Sequence, residues 1–126
     1  MVELNIGTIV TSFYKTGKYI GEVMEVRPNG YLVKVLAVLK HPMQGDLHHP
    51  KEVEGVMFHE RRALTYLEKA VVPFSQTKVF EDAVPEYKES LKNSLDKMKI
   101  ELQATDSEFN KLSLRNLDIL SKEYGL

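Results

Sequence analysis

The sequence predicts a mixed β + α protein: a small SH3-like antiparallel β-barrel over residues 1–80, then a C-terminal α-helical hairpin over 81–126, packed on the barrel as one compact unit. Three observations carry that reading. Asn29-Gly30 separates two long runs, KYIGEVMEVRP and YLVKVLAVLK, in which apolar and polar residues alternate. Shorter apolar stretches on either side bring the total to five short strands, the pattern of a strongly twisted barrel. From Pro85 onward the apolar spacing changes from two to three and four, the period of a helix.

Taken in order, GTIVTSFYKTGKY reads as a first strand, a turn at 15–18 and the start of the next strand. Asn-Gly favours a two-residue type I′ turn, because both central positions need positive φ. That turn sets a register in which Val26 faces Val33, Met24 faces Val35 and Ile20 faces Leu39. On the other side Glu25 faces Lys34, an opposite-charge pair that supports a sheet. Tyr31, Val33, Val35, Ala37 and Leu39 then line the inner face, with Lys34 and Lys40 outside. The same register sets Glu22 against Ala37 on the apolar side, a misfit that a bulge at Gly21 would relieve.

VEGVMFHE and RALTYLEKAVV read as two further strands, and Pro73 ends that region; residues 73–84 form the connector. In the tail, Tyr87, Leu91, Leu95, Met98 and Leu102 fall on one helical face, with Pro85 just inside the helix start. Thr105 and Glu108 match a capping box that opens a second helix. Phe109, Leu112, Leu117, Leu120 and Tyr124 share its apolar face, and Gly125 is placed to stop it.

An apolar fraction of 43% and a charged fraction of 28% place the chain among soluble globular proteins. There is no apolar run long enough to span a membrane, and no signal-peptide pattern opens the chain. Cysteine is absent, which removes disulfides, thiolate chemistry and cysteine-borne lipids. Net charge is −1, with 10 basic and 8 acidic residues over 1–80 and 7 and 10 over 81–126. That balance lacks the electrostatic footprint of a nucleic-acid binder, so no nucleic acid is expected.

All four histidines, His41, His48, His49 and His59, lie in one 19-residue window around HPMQGDLHHP. With Asp46 and Glu60 they supply enough donors for a metal site. The spacing fits no known ligand pattern, however: HExxH is absent, and Arg61 and Arg62 would repel a cation. No GxSxG elbow or phosphate-cradling glycine loop exists, so neither a catalytic residue nor a cofactor is expected. The plain reading is a proline-framed loop, since a residue before proline is driven into extended geometry. Histidine also titrates near pH ~6.5, so proton sensing is a further reading. Arg61 and Arg62 suit either a nearby carboxylate or a partner's carboxylate or phosphate.

The segments FYKTGKYIGEV, YLVKVLAVLKHPMQGDLHHPK and FHERRAL, with the tail pieces PEYKESL, SLRNLDIL and KEYG, resemble the kinase-associated protein B family of spore-forming bacteria. HPMQGDLHHP followed by HER is the most distinctive part of the likeness. The resemblance implies a non-enzymatic accessory role in the sporulation phosphorelay, supporting a membrane sensor histidine kinase or another relay component. It also implies an SH3-like barrel with a helical C-terminus. The family has been described as lipoproteins, whereas this sequence has no cysteine to carry a lipid. A cytoplasmic protein is therefore expected, peripheral at the inner face of the membrane through its kinase partner. The expected contact surface is His41, Asp46, His48, His49, His59, Glu60, Arg61 and Arg62, polar groups that the barrel does not need. The rival reading is a metal-dependent enzyme or metal-binding protein using the same histidines, and a nucleic-acid-binding barrel stands third.

Overall fold

The computed structural model describes residues 4–45 and 60–126. Five strands occur among them: β1 (Ile9–Tyr14), β2 (Gly17–Arg27), β3 (Gly30–Lys40), β4 (Lys69–Val72) and β5 (Lys78–Val79). Two helices follow, α1 (Tyr87–Gln103) and α2 (Glu108–Glu123). The strands form one antiparallel sheet in the order β4-β3-β2-β1-β5. The mixed β + α fold is as expected, but among the described residues the sheet does not close on itself, because β4 and β5 are its edges. A 3₁₀ turn at Phe74–Gln76 and a two-residue β5 leave too little strand there for a closing ladder.

Two strand expectations change. Of RALTYLEKAVV only Lys69–Val72 pairs in the sheet, while β5 comes from the connector and pairs with β1. VEGVMFHE lies almost wholly outside the described residues, and Glu60, its last residue, is not in a strand.

The β2–β3 hairpin turns one residue earlier than Asn29-Gly30 suggests. Arg27 pairs with Gly30, Val26 with Tyr31 and Glu25 with Leu32, so Pro28 and Asn29 are the central turn residues. Proline holds φ negative, which closes the type I′ route. Gly30 instead admits a close approach: a Cβ there would collide with the Val72 carbonyl of β4. Register shifts beyond Val23 bring Glu22 opposite Lys34, not Ala37, and their charges meet at 3.8 Å. The misfit on the apolar face thus disappears. A Cβ on Gly21 would run into Val33 and the Lys34 carbonyl, so the irregular ladder needs glycine at that point. A further shift turns Val38 inward at 2% exposure and leaves Leu39, expected inside, 37% exposed.

The apolar faces build two clusters. Val10, Val23, Tyr31, Val33 and Val72 form one cluster, where Tyr31 meets Phe74 edge-on at 4.8 Å. Tyr19, Val35 and Val38 pack with Leu91, Leu95 and Met98 of α1 and Leu117 and Leu120 of α2. The expected helix faces are therefore the buried ones. Ser90 locks α1 to the sheet: its hydroxyl accepts the Val38 N–H at 2.9 Å and donates to the Tyr87 carbonyl at 2.6 Å.

The helix ends differ in detail from the expectation. Pro85 precedes α1, whose cap is Glu86. Ser107, not Thr105, caps α2, accepting the Asn110 N–H at 3.1 Å. Asn110 is the third helical residue, and its side chain reaches back to the carbonyls of Leu102 and Thr105. Gly125 does stop α2, at φ 78°. Gly125 N–H bonds the Lys122 carbonyl and Leu126 N–H the Ser121 carbonyl, the two bonds of a Schellman motif.

Candidate functional site

The irregular strap over residues 60–65 crosses from the loop after β3 toward β4 without joining a ladder. Extended backbone near a core still needs partners for its N–H and C=O groups. Side chains supply them here. Gln44, 2% exposed, donates to the Arg61 carbonyl at 2.8 Å and accepts the Arg61 N–H at 2.9 Å, as a neighbouring strand would. Tyr124 Oη accepts the Ala63 N–H at 3.0 Å, and Tyr19 Oη accepts the Leu64 N–H at 3.2 Å. Tyr87 Oη donates to the Leu64 carbonyl at 2.6 Å, and the Glu68 carboxylate takes the Thr65 N–H at 2.8 Å.

His41 belongs to this network. It is fully buried, with Nδ1 3.0 Å from the Pro42 carbonyl and Nε2 3.0 Å from Tyr124 Oη. A carbonyl can only accept, so Nδ1 carries the proton and Nε2 accepts from the phenol. Burial pulls the His41 pKa down to about 4, against the opposing effect of the Pro42 bond. The ring is neutral and both nitrogens are occupied. His41 therefore leaves the contact surface expected for it, as a structural residue out of reach of partner and metal alike.

The three phenols are held in their protonated form. Burial pushes Tyr19 up to about 12, with the Leu64 N–H opposing. Burial also raises Tyr87 and Tyr124; on Tyr124 the Ala63 N–H and the Arg62 guanidinium oppose it. They serve as hydrogen-bonding pegs.

Of the other expected site residues, Glu60 and Arg62 are exposed and Arg61 is half-buried. Arg61 Nε donates to the Gly45 carbonyl at 2.9 Å, tying the strap to the loop after β3. Arg62 reaches Glu123 at 2.8 Å and Glu60 at 3.9 Å, and lies 5.5 Å from the centre of the Tyr124 ring. Such half-exposed pairs contribute at most ~1 kcal/mol. Beside them opens a cleft of about 320 Å³, lined among others by Tyr14, Lys15, Pro42 and Leu64. Asp46, His48, His49 and His59 lie outside the described residues. Among the described residues no three histidine, aspartate or glutamate side chains converge as metal ligands, and no helix is long and apolar enough to cross a membrane.

Gln44 is the functional-looking residue that sequence reasoning missed. Its only signal is its position in HPMQGDLHHP, a few residues after β3, where a glutamine amide can mimic a peptide group. Tyr19, Tyr87 and Tyr124 carried no signal of their bonding, because apolar periodicity reads only their rings.

A family model described as kinase associated protein B matches residues 14–125, a span that runs from β1 through the whole network to Gly125. The chain belongs to the kinase-associated protein B family. A family relative, kinase-associated lipoprotein B of Bacillus subtilis (strain 168), is 52% identical over 124 residues, covering 98% of this chain and 97% of its own. The crystal structure of kinase-associated protein B from Bacillus cereus superposes with a TM-score of 0.84 at 44% identity, over 98% of this chain and 100% of that one. The family fold is thus the open sheet with two helices described above.

Proposed function

We propose that this protein is a non-enzymatic accessory of a kinase, supporting a sensor histidine kinase of the sporulation phosphorelay from the cytoplasmic face of the membrane. Family membership over residues 14–125 is the observation that carries this reading. The contact surface is the rim of the strap cleft, Glu60, Arg61 and Arg62, together with Asp46, His48, His49 and His59 of the preceding sequence. Two facts support the choice. Glu60 and Arg62 point to solvent while the strap backbone beneath them is fixed by buried side chains. A guanidinium held over an aromatic ring is also a rigid fork for a partner's carboxylate or phosphate.

The test is a binding titration with the purified cytoplasmic region of the kinase. Arg62→Gln, and separately the double change His48→Ala with His49→Ala, should lower the melting temperature by no more than a few degrees and weaken binding about tenfold or more. Wild-type affinity in both variants would remove this surface, and no binding by the unmodified protein would remove the kinase assignment.

A further inference from the structure

Four lysines have carboxylate partners. Lys34 meets Glu22 at 3.8 Å, Lys92 meets Asp96 at 3.2 Å, Lys99 meets Asp118 at 3.0 Å and Lys111 meets Asp106 at 3.5 Å. Eight others, Lys69, Lys88 and Lys122 among them, have none among the described residues. Five of the eight, Lys15, Lys18, Lys40, Lys78 and Lys97, gather along two linked clefts.

Their placement is costly. Lys18 and Lys40 are directly opposed across β2 and β3, and like charges so placed destabilise a sheet. Lys15 sits at φ 54°, a left-handed position where glycine or asparagine would be easier. Rings offset part of that cost: Lys18 lies 5.5 Å over the Phe13 ring and Lys15 5.6 Å over the Tyr14 ring.

The lysines line two clefts that share Lys18. One, about 480 Å³, holds Lys15, Lys18 and Lys78 beside the polar side chains of Thr11, Ser75 and Gln76. The other, about 460 Å³, holds Lys18, Lys40 and Lys97 beside Ser94, with Glu101 its one acid. We infer that this track docks an acidic segment of a protein partner, with carboxylates in both clefts and Lys18 between them. Charge complementarity names the occupant, and two further observations narrow it. The track's one aromatic, Phe13, is half-buried beneath a lysine, and Leu39 is its one exposed large apolar side chain, too little apolar surface to anchor the protein in a membrane. With a net charge of −1 the chain offers no broad basic surface to a long polyanion, while the lysine track gives a short acidic peptide a local field. This inference rests on charge and shape and stands whether or not the partner is a kinase.

The experiment measures binding of a fluorescent poly-glutamate peptide to the full chain by anisotropy, across a salt series. Binding should weaken with salt, and fall about tenfold or more in Lys18→Glu and in Lys78→Glu. Lys92→Glu and Lys111→Glu, on lysines already paired, should leave it unchanged. Lys18→Gln adds an independent reading: its melting temperature should hold or rise, because the Lys40 repulsion is gone, while its binding falls. The inference is overturned by absence of binding at low salt, by equal losses in the Lys111 variant, or by tighter binding to phosphatidylglycerol vesicles or duplex DNA than to the peptide.

Discussion

The β2–β3 hairpin and the strap over 60–65 are both extended backbone, yet they are held by different chemistry. In the hairpin, N–H and C=O groups face one another across a ladder, so side chains are free to alternate between core and solvent. In the strap the ladder is replaced by Gln44, Tyr124, Tyr19 and Tyr87, each reaching from another element. A ladder spreads its stability over many interchangeable bonds, whereas the strap concentrates it in a few side chains. The two regions should therefore answer differently to single substitutions.

The sharpest break is Gln44→Leu. It removes the buried amide that bonds Arg61 on both sides and the Pro42 carbonyl, leaving several backbone groups unpaired. A loss of ~4 kcal/mol in chemical denaturation is expected, against less than ~0.5 kcal/mol for a polar exchange at exposed Val26 of the hairpin.

The next effect comes from pH. The folded state holds His41 near pKa 4, below its ordinary 6.5, so the unfolded chain binds its proton more readily. The contribution of neutral His41 is fully present above pH 6.5 and is lost as the pH falls through about 4. Between those limits the strap region should cost the fold ~3 kcal/mol that the hairpin does not share. Denaturation at stepped pH, with His41→Phe as the reference that lacks the titrating group, measures it as the difference in slope.

The smallest of the three tests the hairpin itself. Gly21→Ala sets a methyl group against Val33 and the Lys34 carbonyl. The sheet must spread to admit it, at ~2 kcal/mol, visible as a lower denaturation midpoint with an unchanged slope.

How much of this was legible follows from where each partner lies in the chain. The hairpin could be read because strand periodicity is local, and its register was misplaced because Pro28 takes the turn position that Asn29 was expected to hold and irregularities along the ladder shift it further. The buried faces of both helices were legible for the same reason, and the α2 cap slipped from Thr105 to Ser107 because two hydroxyl residues and an aspartate compete there. The strap was not legible. Its pegs lie 17, 23, 45 and 61 residues away in sequence, and no pattern within a window connects them. His41 shows the cost of that blindness: among clustered histidines it looked available, and the fold spends both its ring nitrogens on structure.

By itself, then, the sequence determined what short-range chemistry can specify: a period-two sheet, a period-three-and-four helix pair, the Gly125 stop, and a family likeness carried by its most unusual string. The tertiary structure decided which polar groups are spent and which are left over. Gln44, His41 and three tyrosines are consumed in satisfying a buried backbone, while Arg62 and the five lysines of the two linked clefts remain nearer the surface. Burial and long-range hydrogen bonding make that division, and both depend on residues brought together only when the chain is folded.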